Sequence, residues 1–209
     1  MIYLIGGSPR GGKSILSRKL SKKLNIPYIS SDTVKLVLRP YFKGKKKYEM
    51  FPFDKIWHSL KLDDYFLQYS GQQMINIDIR EGKTIWPAMK NLIQHYLDRK
   101  IDYIYEGVHL LPSLVKEFRG NNDVKTVFLT KQDEEKIYQG MFKNKGNRDW
   151  IMDNTKNKDT IRLAAKSLSI YGNYFLREAR KYNFKCINTE DNFSKKLNEA
   201  MQYLIAKKY

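Results

Sequence analysis

The sequence predicts an α/β fold, in which a five-stranded parallel sheet carries helices on both faces and a small helical lid. Short apolar runs alternate along the chain with longer amphipathic segments, which is typical of strands that alternate with helices. The first apolar run, residues 2–5, leads directly into a glycine-rich turn and then into a helical pattern. Such alternation favours parallel strands, and the ligands of parallel sheets bind at the carboxyl ends of the strands.

The predicted strands are short, rich in apolar or β-branched residues, and cover residues 1–5, 26–30, 102–106, 124–130 and 184–188. The predicted helices have 3.6-residue periodicity and cover residues 13–24, 32–39, 59–80, 87–100, 111–118, 132–143, 158–182 and 193–207. We expect Pro87 in the first turn of its helix, since proline suits that position. Ser31 with Asp32, and Asn192, are expected to cap helix N-termini.

The glycine-rich turn has the phosphate-binding P-loop spacing G-x-x-x-x-G-K-S, which predicts a P-loop NTPase fold that binds ATP and Mg²⁺. Lys13 would reach the β- and γ-phosphates, and the Ser14 hydroxyl would ligate Mg²⁺. A chance glycine-rich turn is the alternative, which the strand before it and the helix after it disfavour. The predicted nucleotide-binding residues are Gly7, Ser8, Pro9, Arg10, Gly11, Gly12, Lys13, Ser14 and Ile15.

The chain of 209 residues can hold one sizeable core, so we expect a single domain over residues 1–209. Two regions are not needed to build a five-stranded sheet with its connecting helices. We interpret them as an acceptor-side insertion at 40–100 and a lid at 140–160. Within these regions, the cation-bearing stretches 40–58 and 143–149 are predicted to be mobile loops over the site.

Lysine and arginine number 39 against 22 aspartate and glutamate, which gives a formal net charge of +17. This charge attracts ATP, phosphorylated metabolites and nucleic acid alike. The lysines are not interleaved with aromatic residues as in nucleic-acid-binding modules, so nucleic acid is a compatible but not a favoured partner. The first apolar run is too short for a signal peptide or a membrane span, and Cys186 is the only cysteine. We therefore expect a cytoplasmic protein without a membrane partner.

The second predicted strand ends in Ser30, Ser31 and Asp32, where an acceptor would lie beside the γ-phosphate. Asp32 could accept or orient the proton of the acceptor hydroxyl, whereas a helix cap is an alternative that the sequence supports nearly as well. Lys35 and Arg39 follow on the same helix face and could bind an anionic group of the acceptor. Solvated surface positions are the alternative for both.

The third predicted strand ends in Glu106, followed by Gly107 and His109. A carboxylate at this place can hold Mg²⁺, usually through water, or polarise the attacking group. Gly107 would permit a close approach of substrate or backbone. His109 could hydrogen-bond the acceptor, and a structural histidine is the alternative. His58 and His95 lack cysteine or histidine partners at metal-binding spacing, so no zinc site is expected.

Phosphoryl transfer develops negative charge on the moving group, and arginines from a lid commonly stabilise that charge. Arg148, in the glycine- and asparagine-rich stretch, and Arg162, on the following helix, are the catalytic candidates. Arg10 in the P-loop is a third. A solvated surface position is the alternative for these arginines.

The chain resembles P-loop kinases of the nucleoside-monophosphate-kinase-like group, because several of its features follow one another in the same order as in those kinases. These features are the P-loop, the strand end at Asp32, Arg39 and the run 106–112 (EGVHLLP). Within this group the chain resembles 2-phosphoglycerate kinase-type proteins and, more distantly, chloramphenicol phosphotransferase and zeta-toxin-type kinases. The resemblance covers the first 40 residues and 101–118. It implies ATP-dependent phosphorylation of a hydroxyl on a small anionic acceptor, 2-phosphoglycerate-like or nucleotide-like, with Lys13 and Ser14 at the phosphates and Mg²⁺.

Two other functions are compatible with these residues. One is a kinase that acts on a hydroxyl of nucleic acid or tRNA, which the net charge would favour. The other is a non-catalytic ATP-binding regulatory module, which Asp32 argues against because a switch needs no acceptor base. A GTPase is disfavoured, since the chain lacks Asp-x-x-Gly after the third strand and Asn-Lys-x-Asp for guanine.

Overall fold

The structure is a computed structural model, and it describes residues 1–143 and 150–206. At its centre lies a five-stranded parallel sheet with the strand order β2-β3-β1-β4-β5. The strands are β1 Ile2–Gly7, β2 Tyr28–Ser30, β3 Tyr103–Glu106, β4 Val124–Thr130 and β5 Lys185–Asn188. Each strand predicted from the sequence is confirmed, with small shifts at its ends.

Helices cover both faces of this sheet. Short 3₁₀ turns at Arg39–Tyr41 and Lys116–Phe118 accompany them. The helices of the described residues are α1 Lys13–Leu24, α2 Ser31–Leu38, α3 Gly44–Met50, α4 Pro52–Ser59, α5 Leu62–Gln68, α6 Gly71–Asp98, α7 Pro112–Val115, α8 Glu134–Lys143, α9 Trp150–Asn154, α10 Lys158–Lys181 and α11 Phe193–Ile205. Among the described helices, none is both long and apolar enough to cross a bilayer.

The alternation of side chains along β1 divides the core in two. Ile2 and Leu4 point to one face of the sheet, where they join the cluster built with α6 and α10. Tyr3 and Ile5 point to the other face and join the cluster built with α1 and α11. The predicted parallel sheet with helices on both faces is therefore confirmed.

Helix α6 corrects two of the predicted helices. The sequence predicted separate helices at 59–80 and 87–100, but one helix runs through Gly71–Asp98 with Pro87 in its interior. Ile85 and Met89, on either side of Pro87, are both almost fully buried. Their packing outweighs the backbone hydrogen bond that proline removes, so the expectation of Pro87 in a first turn was wrong.

Residues 40–58 are not the predicted loop, because α3 and α4 occupy most of the segment. Phe51, between these helices, is fully buried, and its ring meets Phe42 edge to face at 5.4 Å. The Thr84 hydroxyl of α6 donates a hydrogen bond to the Met50 carbonyl oxygen at 3.1 Å. The segment is thus anchored to α6.

The second predicted loop, residues 143–149, contains Arg148. Apart from Lys143, this loop lies outside the described residues.

Candidate active site

The glycine-rich loop joins β1 to α1 at the carboxyl end of the central strand. Gly7 and Gly12 have φ values of 127° and 100°, in the left-handed region that favours glycine. A Cβ atom at Gly7 would lie 2.0 Å from the carbonyl oxygen of Leu129, so the neighbouring strand leaves no room for a side chain. The loop conformation therefore requires glycine at these two positions.

Lys13 folds back over this loop. Its ammonium group donates a hydrogen bond to the Ser8 carbonyl oxygen at 2.8 Å, and the side chain is buried. Burial lowers the pKa of Lys13, and the carboxylate of Glu106 acts against that shift. A buried ammonium that is held by a single backbone carbonyl is well placed to exchange that partner for a phosphate oxygen.

Ser14 and Glu106 bring two oxygen ligands together from α1 and β3. The Ser14 hydroxyl donates a hydrogen bond to Glu106 Oε1 at 3.1 Å. Burial raises the pKa of Glu106, and nearby Lys13 opposes the rise. No lysine or arginine in the described part of the chain forms an ion pair with Glu106. An all-oxygen donor set around a buried carboxylate fits a hard cation such as Mg²⁺.

A cavity of about 500 Å³ opens beside this pair, between α1 and the end of β2. It is lined by Ser14, Arg18, Tyr28, Ile29, Ser30, Thr33 and Glu106. The cavity therefore lies where the two predicted metal ligands meet the predicted acceptor side of the sheet.

Asp32 lies in the first turn of α2, and Ser30 is the residue that caps the helix. The Ser30 hydroxyl accepts a hydrogen bond from the Thr33 backbone N–H at 3.0 Å. The expectation that Ser31 and Asp32 form the cap was therefore wrong by one position. The Asp32 side chain is 68% exposed, and its Oδ1 lies 3.5 Å from His109 Nδ1. Asp32 is consequently available to a ligand.

The second predicted cap residue, Asn192, does occupy the cap position of α11, without a side-chain cap hydrogen bond.

His109 is buried between three carboxylates. Its Nδ1 lies 3.1 Å from Ser31 Oγ and close to Asp32, whereas Nε2 faces Glu81 Oε2 at 3.6 Å and Asp78 Oδ1 at 3.8 Å. Nε2 makes no hydrogen bond. Gly107 allows this packing, because a Cβ atom there would lie 1.9 Å from Ser31 Oγ.

Lys35 and Arg39 are ion-paired, so neither is a simple solvated surface residue. The Lys35 ammonium contacts Glu81 Oε2, and Glu81 is fully buried. Burial disfavours the charged form of Glu81 and by itself would raise its pKa. Contacts with His109 and Lys35 outweigh this effect and hold the pKa of Glu81 below its ordinary value. Arg39 binds the buried Asp54 at 3.1 Å.

Asp78 and Glu81 were missed by the sequence reasoning. Both lie on α6, three residues apart, among buried positions such as Met74 and Ile85. Acidic residues on the apolar stripe of a helix are the signal that could have found them. The Tyr171 hydroxyl donates a hydrogen bond to Asp78 Oδ2 at 2.6 Å. Burial raises the pKa of Asp78, while His109 and Tyr171 act against the rise.

Two of the candidate arginines, Arg162 and Arg10, contact α8. Arg162 pairs with Glu135, and its guanidinium lies 3.8 Å from the centre of the Tyr138 ring. Arg10 donates a hydrogen bond to the Gly140 carbonyl oxygen at 3.4 Å, and burial lowers its pKa. The P-loop is thus connected to the helix that precedes the predicted lid. The catalytic roles of Arg162 and Arg148 stay predictions.

No protein-family model matches the chain. The chain is 22% identical over 214 residues to a 2-phosphoglycerate kinase of Methanothermobacter thermautotrophicus, which covers 96% of this chain and 66% of that protein. It is 25% identical over 138 residues to a 2-phosphoglycerate kinase of Methanocaldococcus jannaschii, which covers 65% of this chain and 43% of that protein. The chain thus spans less than two thirds of the length of these curated relatives.

Among solved structures, the chain is similar to a protein of Chloroflexus aurantiacus that is assigned as a kinase. The TM-score is 0.51, the sequence identity is 15%, and the match covers 97% of this chain and 92% of that one. At this identity the likeness concerns the fold. The resemblance to P-loop kinases of the nucleoside-monophosphate-kinase-like group is confirmed, and the chain has the P-loop kinase fold.

Proposed function

We propose that this protein transfers the γ-phosphate of ATP to a hydroxyl group of a small acceptor. The observation that carries the proposal is the placement of three functional groups on adjacent parallel strands. The P-loop follows β1, Glu106 ends β3, and Asp32 follows β2. Ser30 and Glu106 are partners in the β2–β3 register, so Asp32 and Glu106 occupy neighbouring strand ends. A kinase needs phosphate binding, metal ligation and acceptor orientation at one edge of a sheet.

The P-loop backbone and Lys13 would bind the ATP phosphates, with Lys13 leaving the Ser8 carbonyl for a phosphate oxygen. Ser14 and Glu106 would hold Mg²⁺, Glu106 directly or through water. Bound Mg²⁺ supplies charge neutralisation at the phosphates. Asp32 would orient the acceptor hydroxyl and take its proton as the oxygen attacks the γ-phosphorus. His109, fixed by burial, would hold the Asp32 carboxylate in place.

Arg148 is proposed to stabilise the charge on the transferring phosphate, as the sequence predicts. Arg162 would have to release Glu135 before it could take that role. The resemblance further implies an anionic acceptor, for which Lys35 and Arg39 are the predicted ligands. Both already neutralise buried carboxylates, so the function proposed here extends to a small hydroxyl acceptor and not to the charge of that acceptor.

The proposal is tested by label transfer from [γ-³²P]ATP to a panel of hydroxyl compounds, with ADP measured in parallel. Equimolar ADP and acid-stable phosphomonoester are expected, because the phosphate ends on the acceptor hydroxyl. Release of the label only as inorganic phosphate, or no turnover with any member of the panel, would contradict a kinase and favour the ATP-binding regulatory module.

A further inference from the structure

The acceptor side of the site carries two carboxylates that no lysine or arginine of the described residues contacts directly. Asp32 and Asp78 lie at the two nitrogens of the same imidazole ring, with contacts to His109 at 3.5 and 3.8 Å. Their side chains are 68% and 21% exposed, so Asp32 is open to solvent and Asp78 is accessible only in part. Within the described ranges, neither forms an ion pair with a lysine or arginine.

Three nearby cations, Lys35, Arg39 and Lys47, are engaged with other carboxylates. Lys35 pairs with Glu81, whose second oxygen accepts a hydrogen bond from the backbone N–H of Phe53 at 2.9 Å. Arg39 and Lys47 share the buried Asp54 at 3.1 and 3.6 Å. An anionic acceptor that recruited Lys35 would leave Glu81 charged, buried and without its cation, which is strongly unfavourable.

A second feature beside these groups is a buried nitrogen that has no hydrogen-bond partner. His109 is 3% exposed, and its Nε2 has no hydrogen-bond partner although it faces Asp78 and Glu81. A buried ring nitrogen without a partner is costly. The two oxygens of Asp78 differ as well, because Tyr171 donates to Oδ2 while Oδ1 has only the longer contact with His109. A hydroxyl or ammonium group of the ligand can donate to Asp78 Oδ1, and a hydroxyl can also bond His109 Nε2.

We propose that the acceptor is a polyhydroxyl compound, neutral or amine-bearing, that carries neither phosphate nor carboxylate. The inference rests on the proposed kinase function. One hydroxyl binds Asp32 and receives the phosphate, and a second polar group binds Asp78 and His109. A phosphate or carboxylate at the second position would face Asp78, so it would be repelled. The class resembles sugar alcohols and amino sugars, and it differs from 2-phosphoglycerate.

The first test compares acceptors that differ by one acidic group: glycerol with glycerate, glucitol with gluconate, and glucosamine with 2-amino-2-deoxyglucuronate, with 2-phosphoglycerate included. A site that is built to hydrogen-bond hydroxyls discriminates strongly against analogues without them. We expect kcat/KM to favour the neutral or amine-bearing member by about 100-fold. Preferred phosphorylation of the acidic members would overturn this inference and leave the kinase function standing.

The second test uses Asp78→Asn, with Asp98→Asn as the matched control on the exposed end of the same helix. The asparagine oxygen still accepts the Tyr171 hydrogen bond but lacks the charge. Asp78→Asn should raise the KM for the neutral acceptor about 10-fold and leave the KM for ATP unchanged. It should also reduce the ratio of kcat/KM between the neutral and the acidic member of each pair. Equal acceptor selectivity in Asp78→Asn, Asp98→Asn and wild type would overturn the role of Asp78.

A binding measurement separates this inference from the chemistry. Saturation-transfer NMR with the same compounds, in the presence of a non-hydrolysable ATP analogue, should detect the neutral or amine-bearing members, and titration should give a dissociation constant about 10-fold higher in Asp78→Asn. If binding follows this pattern and no phosphate is transferred, the kinase proposal fails while the ligand class stands. If the panel gives no signal, or only the acidic members bind, the ligand class is wrong.

Discussion

Ser14 and Glu106 meet across the phosphate-binding loop, where the Ser14 hydroxyl donates a hydrogen bond to Glu106 Oε1 at 3.1 Å. This contact joins the first turn of the helix after the loop to the end of the neighbouring strand β3. It places a buried carboxylate beside the position where the nucleotide phosphates would bind. The charge of that carboxylate has opposite consequences for stability and for activity.

Glu106→Gln is expected to stabilise the nucleotide-free protein at pH 7. Burial raises the pKa of Glu106, so the folded chain retains this proton to a higher pH than the unfolded chain. Ionisation of Glu106 therefore lowers the free energy of unfolding as the pH rises above the unfolded-state pKa of about 4.3. The loss is complete above the folded-state pKa. The measurement is urea unfolding of variant and wild type at pH 4 and pH 7, with a larger gain at pH 7.

Ser14→Ala is the control for that measurement, because it removes the hydrogen bond and keeps the charge. Because the Ser14 hydrogen bond holds the pKa of Glu106 down, the dependence of stability on pH should persist in this variant and become steeper. In the transfer assay Glu106→Gln should lose activity through weaker Mg²⁺ binding. A stability difference that is the same at both pH values would show that the Glu106 charge is not the cause.

Asp32→Asn should leave the affinity for Mg-ATP unchanged and lower phosphate transfer by roughly 10²–10⁴-fold, the usual contribution of a positioned acid-base group. The matched variant is Ser30→Ala, which removes the observed N-cap and should cost about 1 kcal/mol of unfolding free energy with turnover largely kept. Single-turnover kinetics and thermal unfolding of both variants give the comparison. Normal turnover with reduced stability in Asp32→Asn would reduce Asp32 to a structural residue.

Glu81→Gln should destabilise the protein by about 3 kcal/mol, because it breaks a buried ion pair and leaves Lys35 without its carboxylate. Glu49→Gln is the control, since Glu49 forms only an exposed pair with Lys45 at 4.0 Å, and about 0.5 kcal/mol or less is expected there. Chemical denaturation at pH 7 measures both. Similar small changes in the two variants would mean that the Lys35 pair contributes little.

Arg148→Ala should reduce turnover far more than ATP affinity, because an arginine at the transferring phosphate binds the transition state best. Hydrogen exchange across residues 140–160, with and without a non-hydrolysable ATP analogue, tests the predicted lid. We expect protection to rise when the analogue is bound. Equal protection in both states would remove the lid from the mechanism.

The sequence identified the parts of the site that depend on local patterns. The P-loop spacing located Lys13 and Ser14, and an acid at the end of an apolar strand located Glu106, because both signals are confined to a few neighbouring residues. Asp78 was not identified, since its place beside His109 depends on how α6 packs against the end of β3. Continuation of α6 through Pro87 is likewise a result of packing, which propensity alone does not predict.

Asp54 shows the same limit for charges. The sequence left Arg39 as an acceptor ligand or a solvated residue and placed Lys47 only in a cation-bearing loop. Both contact Asp54, and the pairing is made by the fold of α3 and α4. The resemblance implied an anionic acceptor, for which Lys35 and Arg39 were the candidate ligands. Both residues are already paired with buried carboxylates, which favours an acceptor without acidic groups.

Label transfer by Lys13→Ala is the decisive test of phosphate binding by the glycine-rich loop. Lys19→Ala, an exposed lysine on the same helix, is the control. With the best acceptor of the panel, Lys13→Ala should lose transfer by at least about 10²-fold with an unchanged circular dichroism spectrum, because Lys13 is expected to meet the phosphates. Lys19→Ala should match wild type. Wild-type turnover in Lys13→Ala would contradict phosphate binding by this loop, and with it the proposed kinase.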